Sequence, residues 1–107
     1  MKLRTMLDGC PVVDFPLEQW ADYDTLVTRL VQDFGCTRRN DPTSKNHCWL
    51  ERDGMRLEAA GDHDLGYQVK ATDPRAGDFL RVVVGAVLKE GEDRTREAIR
   101  RATRLFH

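Results

Sequence analysis

No stretch of this chain approaches the roughly 18 consecutive apolar residues that a membrane-spanning helix needs. Charge of one sign is missing as well. Seventeen Lys and Arg stand against 18 Asp and Glu, a formal net charge of −1, which gives no global reason to bind nucleic acid or an anionic bilayer. Cysteine is sparse: Cys10, Cys36 and Cys48 are odd in number, widely spaced and form no CxxC pair. A disulfide framework is not expected on that count, and the three read as small buried hydrophobes of a reducing cytosol. Histidine is equally sparse, and His47, His63 and His107 stand in no known metal-ligand spacing. Neither a metal nor a cofactor is expected. The opening "MKLRTMLDG" has no apolar segment behind its basic residues, so it is not read as a signal peptide, and a cytoplasmic location is expected.

Assembled catalytic signatures are also missing. There is no GxGxxG, P-loop, HExxH or GxSxG. His47 and Cys48 are adjacent, but neighbours on a strand point to opposite faces and cannot form a dyad there. The expectation is therefore a chain that is not an enzyme, with a small enzyme centred on His63 or His47 as the third-ranked reading.

What is present suits one hydrophobic core: 107 residues, 40% hydrophobic and 33% charged, enough for a single domain over 1–107 and too little for two. "KLRTML" and "CPVVDF" flank Asp8-Gly9, a two-residue hairpin signal, with Pro11 marking a strand that lies at an edge or pairs on one side only. From Pro16 to Phe34 the spacing predicts a helix whose inward stripe is Trp20, Tyr23, Val27, Leu30 and Phe34, with Gly35 closing it. "CTRRNDPTSKN" reads as a connecting loop, extended at most over "CTRR". A second hairpin turns at Asp53-Gly54. Its register opposes Arg52 to Met55, Leu50 to Leu57 and Cys48 to Ala59 on one face, and Glu51 to Arg56 and Trp49 to Glu58 on the other. "GYQVKA" continues as a third strand, with Tyr67, Val69 and Ala71 inward. Between them "GDHDLG" (61–66) invites a metal or acid–base reading of His63. Its residues are turn formers, however, and adjacent side chains point apart, so it reads as a turn.

Pro74 opens a helix that ends at Gly91, with a strand as the alternative for the β-branched run "VVVG" within 78–90. A final helix is expected over 92–106, acidic at its start and basic at its end, with Ala98, Ile99, Ala102, Leu105 and Phe106 as its apolar stripe. The fold class is α+β: an antiparallel sheet with helices packed on one face, in the order ββ-α-βββ-α-α.

Three surfaces carry the functional expectation. Glu18, Asp22 and Asp33 share the solvent side of the first helix and offer an acidic patch to a protein partner with a basic surface. Trp49 and Arg56 stand on the sheet face opposite Leu50 and Leu57, residue types that dominate binding hot spots, with cover of Trp49 by the final helix or by the 36–46 loop as the equal alternative. Arg94, Arg96, Arg100, Arg101 and Arg104 line the last helix, where nucleic acid is the tempting partner. Glu92, Asp93 and Glu97 dilute that set, and self-association as a homodimer explains it as well. A non-enzymatic protein-binding domain, of the bacterial inhibitor or immunity type, is the leading expectation. A nucleic-acid-associated regulator acting through the arginine helix is the alternative.

Overall fold

The computed structural model describes residues 1–62 and 64–105. His63, the centre of the GDHDLG motif, lies outside them, as do Phe106 and His107. Six strands, β1 (Lys2–Thr5), β2 (Pro11–Phe15), β3 (Thr37–Asn40), β4 (His47–Arg52), β5 (Met55–Asp62) and β6 (Gly66–Ala71), form one sheet in the order β1-β2-β6-β5-β4-β3. Every neighbouring pair is antiparallel. Helix α1 (Trp20–Gln32) follows a 3-10 turn over Leu17–Gln19, and α2 (Pro74–Leu105) closes the chain. This is the expected α+β layout.

Alternation along the strands decides which face is covered. Val13, Phe15, Cys48, Leu50, Leu57, Ala59, Val69 and Ala71 point one way and meet Leu26, Val27 and Leu30 of α1 and Ala76, Leu80, Val83 and Val84 of α2. Each large member of this set contributes about 1.5–3 kcal/mol through burial. Both helices therefore use one side of the sheet and leave the other without a covering layer. The β4–β5 register is the one the sequence predicts, pair for pair. It is set by a turn in which Asp53 and Gly54 both take positive φ, 50° and 79°, the conformation a two-residue hairpin requires.

Several local expectations are corrected. The two C-terminal helices are one, unbroken through Gly91. Gly35 has a φ of 74° and ends α1, but Gly91 is not among the residues with positive φ. A helical glycine costs only about 1 kcal/mol against alanine, and the helix formers on both sides of it carry the helix through. "VVVG" is helical because Val83 and Val84 are buried against the sheet. "TRRN" is a full edge strand, β3, although all four residues are exposed. It is held by pairing with β4 rather than by an apolar pattern of its own. Trp20 is 59% exposed: it is the first residue of α1, directly after the 3-10 turn, and does not join the inward stripe. In the first hairpin the strand pairing ends at Thr5 and Pro11, one further bond runs from the Met6 amide to Cys10 O at 2.9 Å, and Leu7 is fully exposed. The link after β5 is shorter than GDHDLG, since Gly61 and Asp62 remain in the strand.

Candidate functional site

The uncovered sheet face is built by the residues between the core positions. Cross-strand pairing lines up Arg4, Val12, Lys70, Glu58, Trp49 and Arg39 in one row from edge to edge. Trp49 stands near the β3 end of that row. Its ring is held from both sides. The His47 ring meets it edge-on at 4.7 Å between centroids, and the Arg56 guanidinium lies 5.0 Å from its centroid, within cation–π range. Arg56 is itself oriented by Glu51, to whose Oε1 it donates from Nη2 at 2.7 Å and Nε at 3.0 Å. Arg39 on β3 approaches the same carboxylate at 3.6 Å. Those bonds hold Glu51 below its usual carboxylate pKa, the Arg56 bond first. A groove of about 700 Å³ runs beside them along Thr37, Glu51, Arg52 and Arg56.

His47 ties this face to the β3–β4 loop. Its Nδ1 lies 2.7 Å from Asp41 Oδ2 and its Nε2 lies 2.9 Å from Glu58 Oε1. Burial alone favours the neutral ring, but the two carboxylates together outweigh it and raise the pKa. As an imidazolium, His47 donates to both. Asp41 also accepts from the Thr43 hydroxyl at 2.6 Å and amide at 2.8 Å. With the Thr43 bonds leading and His47 adding to them, its carboxyl is held down to about 2. The loop is thereby stapled to β4 and β5 beside Trp49.

As an imidazolium His47 carries a proton on each ring nitrogen and gives both to carboxylates, so neither nitrogen keeps a lone pair for a metal ion. Cys48 lies on the opposite face, buried among the core residues, and burial raises its thiol pKa. Among the described residues no group of three or more His, Cys, Asp or Glu side chains is arranged to hold a metal ion. No helix there is long and apolar enough to cross a membrane.

Of the residues singled out from sequence, the structure brings Trp49 and Arg56 together and places the acidic three elsewhere. Glu18 lies in the 3-10 turn, Asp22 in the first turn of α1 and Asp33 just past its end, all exposed. They belong to the helix layer, across the sheet from Trp49. Asp33 is partly neutralised, since it accepts from Arg29 Nε at 2.9 Å. Arg94, Arg96, Arg100, Arg101 and Arg104 are all exposed on the last part of α2, with Glu97 3.5 Å from Arg101. Sequence reasoning missed the His47 clamp. The predicted register carries half of it, because extending it by one pair sets His47 opposite Ala60 and makes Glu58 its diagonal neighbour. Asp41 sits in a loop and has no such signal.

No family model, curated protein or solved structure matches this chain.

Proposed function

We propose that this chain is a small, non-enzymatic protein-binding domain that captures its partner on the open face of its sheet, with Trp49 as the anchor. One observation carries the reading: Trp49 stands on the face that no helix covers, pre-oriented between His47 and Arg56. Binding costs less when an aromatic anchor is already locked in place, and Trp and Arg are the residues most enriched at hot spots. Around it Glu51, Glu58, Arg39 and Lys70 supply a charged rim of both signs, the pattern that gives register and specificity. The acidic residues Glu18 and Asp22, on the far side, act on the approach of a basic partner through long-range attraction.

The finer reading is an inhibitor or immunity-type protein of a bacterial cytoplasm. A blocking protein works by presenting one rigid surface, and the stapled loop and locked indole supply that. Three buried free thiols, Cys10, Cys36 and Cys48, suit a reducing compartment. The test is affinity capture from the native source with the wild type and with Trp49→Ala and Arg56→Ala. A protein held by the wild type and lost from both variants supports the proposal. Equal capture by all three removes the sheet face from it, and recovery of nucleic acid that depends on Arg100 and Arg101 favours the arginine-helix alternative.

A further inference from the structure

One small cavity lies on the helix side of the sheet, where the β3–β4 loop passes the first turns of α1. It measures about 110 Å³ and is partly open to solvent, and its walls include Tyr23 of α1, Arg38 of β3, Lys45 of the loop, Cys48 of β4 and Tyr67 of β6. Pairing explains the company. Arg38 opposes Leu50 and Asn40 opposes Cys48, so both point to the covered face, as does Tyr67, whose ring stacks on Tyr23 at 4.8 Å. At about 30 Å³ per water, the space is far below the roughly 300–1,000 Å³ of a pocket that encloses a whole small molecule. It can take one functional group.

The chemistry of that group follows from the walls. Arg38 and Lys45 bring two positive charges, and no Asp or Glu lines the cavity. Among the described residues neither cation lies within ion-pair distance of a carboxylate. By contrast Arg4, Arg56 and Arg101, which line other cavities, are bridged to Asp14, Glu51 and Glu97. Arg38 Nε donates to Asn40 Oδ1 at 3.1 Å, which orients the guanidinium and spends one of its five N–H groups. The hydroxyls of Tyr23 and Tyr67 have no hydrogen-bond partner among the described residues, yet neither is sealed from solvent. Burial pushes the Tyr23 phenol up to about 12 and raises the Cys48 thiol as well, so both stay protonated and put no negative charge on the wall. Asp41 and Glu58 are engaged by His47, and Asp24, next to Tyr23, is exposed on α1.

Two cations and two neutral hydroxyls around a group-sized space match an oxyanion of two charges with several acceptor oxygens. A carboxylate would leave one charge unanswered. A phosphoryl group carries about −1.5 to −2 at neutral pH on three strongly accepting oxygens, and arginine and lysine are the side chains that bind it. We propose that this cavity holds the phosphoryl group of a phosphate monoester, with Arg38 and Lys45 supplying the charge and the two tyrosine hydroxyls donating beside them. The remainder of the ester stays in solvent. The site is independent of what the open sheet face binds.

Amide NMR titration of the full chain with phenyl phosphate tests it, with inorganic phosphate and benzoate as companion probes. Phenyl phosphate should bind saturably, with shifts centred on Tyr23, Arg38, Lys45 and Tyr67, and inorganic phosphate should compete for the same residues. Benzoate keeps the ring but carries one charge, and should bind about tenfold more weakly. Arg38→Gln and Lys45→Gln should each lower the phenyl phosphate affinity about tenfold. Tyr23→Phe and Tyr67→Phe keep both rings and should lower it several-fold. Arg100→Gln, which removes an exposed charge of α2, should change nothing. The absence of a saturable shift with phenyl phosphate overturns the proposal. So does benzoate binding of equal strength, an affinity indifferent to Arg38→Gln and Lys45→Gln, or an equal loss in Arg100→Gln, which would reduce the effect to net charge. Inorganic phosphate held while phenyl phosphate is refused also overturns it, because the ester could not then enter. Unfolding midpoints confirm that each variant keeps the fold, since Arg38 and Lys45 are exposed.

Discussion

The ring of Tyr67 fills the space that a side chain at Gly61 would need: a Cβ built on Gly61 falls 2.7 Å from both Cδ1 and Cε1 of the ring. The two residues are direct partners across the β5–β6 hairpin, and the same ring stacks on Tyr23 of α1 at 4.8 Å. Gly61→Ala should therefore push Tyr67 off α1 and cost about 1–3 kcal/mol, the usual range for overpacking. Denaturant unfolding checks the value, and Gly61→Ala combined with Tyr67→Leu should recover part of it. A neutral single variant would show that the ring moves aside freely.

Leu30 and Trp20 should behave in opposite ways although both are large apolar residues of α1. Leu30 is fully buried and Trp20 is 59% exposed. Leu30→Ala should cost ~2–5 kcal/mol as a core truncation, while Trp20→Ser should stay within about 0.5 kcal/mol. Paired urea titrations of the two variants decide it, and a large loss at Trp20 would place it in the core after all.

The His47 clamp makes stability depend on pH at two ends. The folded state raises the His47 pKa, so it holds that proton more tightly than the unfolded chain does. Its contribution is complete below the unfolded value of about 6.5 and is lost as pH rises through the higher folded value. Asp41 works the other way. Its folded pKa is held down to about 2, so its contribution is present above the ordinary carboxylate range and disappears as pH falls toward that value. His47→Gln should flatten the loss between neutral and mildly alkaline pH and leave much of the acid limb, since Thr43 also holds Asp41. Unfolding midpoints across pH for both proteins test this. Matching slopes above neutrality would mean that the imidazolium contributes nothing.

The acidic residues of the helix layer should govern the rate of encounter. Glu18→Lys with Asp22→Lys should leave the fold intact and slow capture of a basic partner, with the difference shrinking as salt shortens the screening length to about 8–10 Å. Asp33→Lys adds a separate effect, because it also removes the Arg29 contact. Stopped-flow association at low and high salt distinguishes them. Equal on-rates at low salt would reduce this patch to solvated surface.

How much of this was legible from residues alone depended on whether a local signal and the tertiary environment agreed. The β4–β5 hairpin was fully readable because Asp53-Gly54 fixes the turn and both faces of the pairing are chemically matched. Gly35 and Gly91 look alike in sequence, each following a run of helical residues. Only at Gly35 does the chain reverse, because Cys36 must return to the sheet, its amide bonding Leu30 O at 2.9 Å. No such tie turns the chain back at Gly91. β3 was readable only as a short extended segment at "CTRR" within a loop, for the complementary reason: its partner supplies the order and its own residues do not. Trp49 was correctly assigned to its face by register, yet the staple beside it depends on Asp41, which no periodicity could place.

The strand order also dictates the sequence of events in refolding. β3, β4 and β5 each pair with the next strand along the chain, so the meander can assemble from short-range closures. β2 against β6 is the exception, joining Val12 to Lys70 across α1 and three strands. Closing that loop carries the greater entropic cost. The meander with its Asp53-Gly54 turn is thus the expected nucleus, and the β1–β2 hairpin docks onto its exposed β6 margin afterwards. Truncations at Leu50 or Leu57 should slow folding, whereas truncation at Val13 should chiefly hasten unfolding.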